Sequence, residues 1–324
     1  MTDSVLVTGA AGFAGSHLVD ALVADDVDVV GWHRPGSRPG SQNSVRWVPV
    51  DILDREAVTR ALAAAKPTVV FHCAGTAHVG GSWRDSLTPL ETNALGTHYL
   101  LDGLRRSSLS PRVVVTGSAL VYRPSTAALS EEAPLGPSSP YGLSKLAQEM
   151  AALGAARDGL PVVVARPFNH AGPRQDPSYA TASFARQIAL AEAGRGQQTI
   201  VVGNLETRRD LTDVRDTVRA YRALAERGTA GRVYNVCRGE AYTVGELLER
   251  LMSLARVRLD VQPDPALFRP HDNPIVLGDS SRIRHETGWQ PTIPIERTLA
   301  DLLGYWRERI AEDRRSPEES MRRS

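Results

Sequence analysis

Short apolar runs alternate with stretches of helical periodicity through the first half of the chain. Residues 5–7 form the first run, and Leu18, Val19, Leu22 and Val23 then recur at helical spacing across residues 16–24. Apolar runs follow at 27–32 and 45–50, an alanine-rich helical stretch at 54–65 stops before Pro67, and a buried-type run fills 68–73. The alternation continues with a helix at 90–106, a strand at 112–116, a helix at 141–157 and a strand at 161–165. Strands that read as continuous apolar runs are covered on both faces, and right-handed crossovers between them make an α/β, doubly wound parallel sheet.

After about residue 168 the pattern loosens. Pro173, Pro177, Gly194 and Gly196 punctuate it, and helical stretches at 183–193 and 244–254 recur without clean alternation. This predicts a first domain over residues 1–167 and a smaller, discontinuous C-terminal substrate domain over 168–310. A helix at 213–227 and a strand at 232–236 are expected to return to the first sheet, so that about 208–236 completes it. The charged, Ser/Arg-rich residues 311–324 carry too little apolar surface to offset their ordering entropy and are expected to fray.

Composition narrows the class. With 42% hydrophobic and 23% charged residues in 324, a disordered chain, a coiled coil and a collagen-like fibre are excluded. A net charge of +1, with basic residues scattered rather than gathered in an aromatic-interleaved stripe, argues against nucleic-acid and membrane partners. No apolar run reaches the roughly 18 residues of a membrane span. Two cysteines, Cys73 and Cys237, cannot build a disulfide framework and point to a reducing compartment. No basic leader precedes the first strand, so the expected location is cytoplasmic. No cluster has metal-ligand spacing, and no catalytic metal is expected.

The first strand runs into Thr8-Gly9-Ala10-Ala11-Gly12-Phe13-Ala14-Gly15, a GxxGxxG turn opening a helix. Gly9 permits the tight turn, Gly12 lets the backbone approach a pyrophosphate, and Gly15 lets the helix pack closely on the strand. Phe13 and Ala14 stand where free N–H groups and the positive dipole end face an anion. It is expected to be the dinucleotide-binding turn of a Rossmann sheet; the alternative is a strand–helix turn that holds no ligand. The second strand ends in Trp32-His33-Arg34, with Arg38 following, where NAD sites place a carboxylate. His33 and Arg34 therefore favour NADP(H) and leave NAD(H) open; the arginines can equally be a solvated loop. Asp51 and Ile52, after the third strand, stand where the adenine edge is reached.

Tyr141 and Lys145 lie four apart at the start of a helix capped by Ser139 and opened by Pro140, hence on one face. An ammonium beside a phenol lowers its pKa, so the pair is expected to act as general acid or base on a carbinol or carbonyl oxygen. Ser118 follows the strand at 112–116, at the carboxyl end where ligand crevices form, and can bond the same oxygen or simply its own turn.

Glycine turn, post-strand serine and Tyr-x-x-x-Lys, in this order, resemble the extended short-chain dehydrogenase/reductase family of NAD(P)-dependent sugar-nucleotide epimerases, dehydratases and reductases. The likeness spans about residues 4–307. It implies catalytic roles for Ser118, Tyr141 and Lys145, with Tyr141 and Lys145 also binding the cofactor. It also places Cys73, Ala74 and Gly75 beside the nicotinamide ribose and makes Asn93 a supporting residue. Ser118 and Tyr122 match the family's serine and Val-Tyr-Gly turn, with Arg123 in place of the glycine. The helices at 90–106 and 141–157 resemble those that pair two subunits in relatives, which implies a homodimer, although both can also pack on the monomer's own sheet.

Two features bear on the reaction. The family's 4,6-dehydratases carry a carboxylate and an acid directly after the serine or threonine; here those positions are Ala119 and Leu120, which cannot move a proton. Segments 166–175 and 202–210 are similar to the GDP-sugar branch, the GDP-4-keto-6-deoxymannose reductases above all. The resemblance thus implies reduction of a 4-keto group on a GDP-linked 6-deoxyhexose. The alternative is a redox-neutral epimerase with tightly held NAD(P), and a redox-sensing binding protein is a further rival. Candidate substrate contacts are His78, Ser118, Asn169, Asn204 and a diphosphate clamp of Arg209 and Arg269.

Overall fold

The structure, a computed structural model, describes residues 4–321 except 38, 78–79 and 269–272. The first half supplies β1 (Ser4–Thr8), α1 (Phe13–Ala24), β2 (Asp28–His33), β3 (Arg46–Pro49), α2 (Arg55–Ala65) and β4 (Val69–His72). After these come α3 (Leu87–Pro89), a π-helical stretch (Leu90–Leu95), α4 (Gly96–Arg106), β5 (Arg112–Thr116), α5 (Pro140–Arg157) and β6 (Val162–Pro167). The second half contains β7 (Asn169–Ala171), α6 (Ala180–Glu192), β8 (Thr199–Val202), β9 (Arg208–Asp213), α7 (Val214–Arg227) and β10 (Val233–Val236). It ends with β11 (Ala241–Thr243), α8 (Val244–Ser253), β12 (Asp260–Pro263), β13 (Ile275–Val276), α9 (Ser281–Thr287) and α10 (Ile295–Met321).

Seven strands form one parallel sheet in the order β10-β6-β5-β4-β1-β2-β3. The chain winds outward from β1 to β3, then restarts at β4 on the other side. That reversal opens a crevice at the carboxyl ends of β1 and β4, where doubly wound sheets bind ligands. Side chains alternate between the faces. Val5, Val7, Val114 and Val163 pack on one side against Leu18 and Leu22 of α1 and Tyr221 and Leu224 of α7. Leu6, Val30, Val113 and Val115 pack on the other against Leu62 of α2 and Leu100 and Leu104 of α4. A separate core joins α6, α8 and α10 through Ile188, Leu251 and Leu302, beside the smaller sheets β11-β9-β13, with β7 on β9, and β12-β8.

Three elements differ from the sequence reading. The helix expected at 90–106 begins earlier, at α3, and passes through the π stretch Leu90–Leu95 before α4. The wider π turn holds Asn93, fully buried, where it bonds the backbone of Thr76. Strand β9 joins the second sheet rather than the first, because its partners are β7, β11 and β13; the return to the large sheet is made by α7 and β10. Finally, α10 carries on to Met321 through much of the charged stretch expected to fray from 311. Buried Leu299, Leu302, Leu303 and Ile310 nucleate this helix, after which each further residue is added cheaply.

Candidate active site

The turn between β1 and α1 is shaped by its glycines. Gly9 has φ +64°, and a Cβ there would lie 2.7 Å from the Ala74 backbone nitrogen. A Cβ on Gly15 would lie 2.2 Å from the Gly9 carbonyl oxygen, so α1 rests directly on the turn. Gly12 closes the turn by donating its N–H to Gly9 (2.9 Å) and precedes a first helical turn without acidic residues. The residues present fit a dinucleotide pyrophosphate: a small-residue cradle that a side chain would fill, under the N–H groups of Phe13 and Ala14. The Phe13 ring stacks on His170 of β7, centroids 5.6 Å apart and planes 4° apart, and meets His17 edge-on at 5.7 Å.

At the end of β2, the Arg34 side chain is exposed. Its carbonyl accepts a hydrogen bond from Ser37 (2.6 Å) and lies 3.1 Å from His33 Nδ1. Asp51 is also exposed and accepts the Leu53 N–H at 2.9 Å, while Ile52 is buried beneath Gly96. Across the crevice, Thr8 carries the β4 turn: its carbonyl accepts the Cys73 N–H (3.2 Å) and its hydroxyl accepts the Ala74 N–H (3.1 Å). Gly75 is hemmed in by the Asn93 carboxamide, 2.6 Å from where its Cβ would stand. Asn93 also donates to Ser144 (2.9 Å), tying the π stretch to α5.

The catalytic candidates meet at the carboxyl end of β5. Ser139 caps α5 by accepting the Gly142 N–H, and Pro140 fills its first turn. Tyr141 and Lys145 are buried on the same helix, beside the equally buried Ser118. Burial raises the Tyr141 pKa, a raise that the nearby Tyr179 reinforces and a hydrogen bond with Ser118 opposes. This corrects the expectation that Lys145 makes the phenol acidic. The Lys145 ammonium donates instead to the Thr116 carbonyl (2.7 Å), and burial lowers its own pKa to about 8. Desolvation sets the direction because the phenol lies deep in the protein, where its charged form is disfavoured. The phenol is therefore kept protonated at neutral pH.

The substrate candidates are more dispersed. Asn169 is exposed on β7. Asn204 spends its Oδ1 on the Glu206 N–H (2.9 Å). Arg209 does not present a bare guanidinium clamp: its Nη1 donates to the carbonyls of Arg208 and Asn273, both at 2.8 Å. The Asn273 side chain in turn accepts from Ser138 (3.5 Å), three residues before Tyr141, which brings Arg209 to the rim of the cleft. His78, Arg38 and Arg269 lie outside the described residues.

Several contributors were missed from sequence. Ser82, buried in the turn Gly81–Trp83, accepts the Tyr141 N–H at 3.3 Å. Tyr179 donates to the Ala77 carbonyl at 2.7 Å. Neither falls in a recognisable spacing. Glu149 and Arg166 did leave a signal, since Glu149 continues the Tyr141–Lys145 face of α5, where a carboxylate needs a partner. Arg166 meets it through Nε (2.8 Å) and Nη2 (2.5 Å) and holds the Tyr122 hydroxyl at 2.7 Å.

Glycine turn, crevice and the Ser118–Tyr141–Lys145 group together define a nucleotide-dependent oxidoreductase site on a doubly wound sheet. The GDP-mannose 4,6 dehydratase family matches residues 6–302, and the chain belongs to that family. It is 37% identical to the GDP-6-deoxy-D-mannose reductase of Pseudomonas aeruginosa over 321 residues, 97% of this chain and 100% of that protein. It is 32% identical to the UDP-glucose 4-epimerase of Mycolicibacterium smegmatis over 321 residues, 94% and 98% of the two chains. Among solved structures, RMD from Pseudomonas aeruginosa complexed with NADPH is similar, with a TM-score of 0.83 and 35% identity over 95% of this chain and 100% of that one.

Proposed function

We propose that the protein reduces the 4-keto group of a nucleotide-linked 6-deoxyhexose, GDP-4-keto-6-deoxymannose-like, using NADPH. The observation that carries this is a buried Ser118–Tyr141 pair followed by Ala119 and Leu120, with no carboxylate in the two positions after the serine. Such a site can pass a proton to a carbonyl oxygen but lacks the adjacent base and acid of a 4,6-elimination. The likeness to a GDP-6-deoxy-D-mannose reductase supports the same reading.

Gly9, Gly12, Phe13 and Ala14 would hold the cofactor's pyrophosphate, Arg34 with His33 the 2′-phosphate, and Asp51 and Ile52 the adenine edge. Cys73, Ala74, Gly75 and Lys145 would hold the nicotinamide end. When bound, a reduced nicotinamide supplies the hydride. Ser118 orients the ketone oxygen, and Tyr141 gives that oxygen its proton, so ketone becomes alcohol. The protonated phenol suits this direction, and the Ser118 hydrogen bond stabilises the phenolate that remains. Asn169, Asn204 and Arg209 are proposed to face the sugar nucleotide.

In this reading residues 1–167 and the return through α7 and β10 bind the dinucleotide, and much of 168–310 binds the sugar nucleotide. A homodimer is proposed through α3, the π stretch and α5, where Leu87, Leu90, Leu143 and Met150 are exposed. No helix among the described residues is long and apolar enough to cross a membrane. Both cysteines are free, which fits the cytoplasm.

The test is to incubate the protein with NADPH and a panel of 4-keto and 4-hydroxy sugar nucleotides. Stoichiometric loss of reduced-nicotinamide absorbance with a 4-keto substrate is expected. Interconversion of 4-hydroxy epimers without net cofactor consumption would replace this reading with an epimerase.

A further inference from the structure

We propose that Tyr179 is a positioning residue for the reaction, reaching across the cleft from the second half of the chain to pin the loop that seats Tyr141. The inference rests on the reductase reading above.

The loop between β4 and α3 is stitched at three points. At its start, Thr76 exchanges two hydrogen bonds with the Asn93 carboxamide, its N–H donating to Oδ1 (2.8 Å) and its carbonyl accepting from Nδ2 (3.2 Å). Asn93 is anchored in turn to Ser144, which stands between Tyr141 and Lys145 on α5. Near its end, buried Ser82 accepts the backbone N–H of Tyr141 (3.3 Å). Between these, the Ala77 carbonyl accepts the Tyr179 hydroxyl (2.7 Å). The first two stitches are internal to the large-sheet half. The third comes from the residue that opens α6, in the half that carries Asn169, Asn204 and Arg209.

The geometry has a mechanical consequence. Tyr141 stands in the first turn of α5, and its carbonyl accepts the Ser144 hydroxyl (2.7 Å), the same hydroxyl that accepts from Asn93. Movement of Ala77 is passed through the adjoining Thr76, Asn93 and Ser144 to the Tyr141 main chain and thus to the alignment of its phenol with Ser118. Reaction rates are sensitive to ångström-scale displacement of this kind. The two phenols also lie close enough for Tyr179 to influence Tyr141 electrostatically. Tyr179 is half-buried, and its hydroxyl lies at the cleft rather than in a core.

The experiment compares wild type with Tyr179→Phe in three measurements. These are steady-state reduction of the 4-keto substrate, NADPH affinity, and amide hydrogen exchange of residues 76–83. The variant is expected to lose about threefold to tenfold in kcat, the worth of one neutral hydrogen bond, with NADPH affinity and melting temperature unchanged. Exchange in the loop should accelerate, and Tyr179→Leu should lose more. A purely structural tyrosine would lower the melting temperature without this selective fall in kcat. Wild-type kcat in the variant, or a lowered kcat with wild-type exchange, overturns the proposal. If the wild-type protein reduces no 4-keto sugar nucleotide, the reductase reading fails instead. Unchanged loop exchange in Tyr179→Phe would then still refute the positioning role.

Discussion

Glu149 of α5 and Arg166 of β6 form a two-pronged ion pair whose side chains are 2% and 4% exposed, on the continuation of the helix face that carries Tyr141 and Lys145. The Arg166 guanidinium also lies over the Tyr122 ring, 4.6 Å from its centroid, and donates to that residue's hydroxyl. Removing one partner of such a pair strands a charge where water cannot reach it. Glu149→Ala should lower stability by about 3–5 kcal/mol in chemical denaturation. Glu149→Gln keeps one acceptor and should lose less. Equal losses in the two variants would show that the lost charge alone sets the cost, whereas a nearly neutral Glu149→Gln would show that the pair contributes packing and one hydrogen bond rather than charge compensation.

The central chemical prediction concerns Tyr141. Tyr141→Phe removes the proton donor and leaves the ring in its buried seat. Reduction should slow by about 10²–10⁴-fold, measured under single-turnover conditions, while NADPH binding stays near the wild-type value. A variant within a factor of a few of wild type would assign the proton to another group.

Arg34 tests the cofactor preference. It is exposed at the end of β2. A charge-assisted hydrogen bond is worth about 1.5–3 kcal/mol. Arg34→Ser should therefore weaken NADPH binding by roughly 10- to 100-fold and leave NADH binding largely unchanged. Equal weakening of both would place the 2′-phosphate elsewhere.

Acid should destabilise the protein through buried imidazoles. His72, between the hydroxyls of Thr8 and Thr97 (both 2.8 Å), has its pKa lowered to about 3 by burial and the Lys145 charge. His17, chiefly through burial, is lowered to about 4. The ordinary histidine value is near 6.5. Both groups are thus neutral when folded and protonate once unfolded, so the unfolded state binds more protons below that value. Stability is expected to fall as pH drops from about 6.5 toward 4, each histidine contributing about 1.4 kcal/mol per pH unit at full effect. Denaturation midpoints across this range, for wild type and His17→Gln, measure the slope. An unchanged slope in the variant would remove His17 from the account.

The alternating strands and helices of the large parallel sheet and the glycine turn were readable because apolar runs of strand length and glycine spacing are local signals. Gly9 and Gly15 do in the fold what their spacing implies. The Ser118–Tyr141–Lys145 group was readable for the same reason: strand ends and the i, i+4 helix face are short-range geometry. Its electrostatics were not. Sequence spacing showed an ammonium near a phenol but not that both would be desolvated, and burial determines the direction of the Tyr141 shift. The π stretch around Asn93 was hidden because its wider turn is set by a contact with Thr76. Ser82 and Tyr179 were invisible because their partners lie 59 and 102 residues away in the chain.

The stacking of Phe13 on His170 has a consequence for the order of events. The residue that opens α1 leans on a ring from β7, next to Asn169. A dinucleotide held on that turn as proposed would lie at a joint between the halves, and its arrival would brace the wall proposed for the second ligand. Sugar nucleotide is expected to bind the cofactor-loaded protein more tightly than the bare one, and by reciprocity each ligand slows the other's escape.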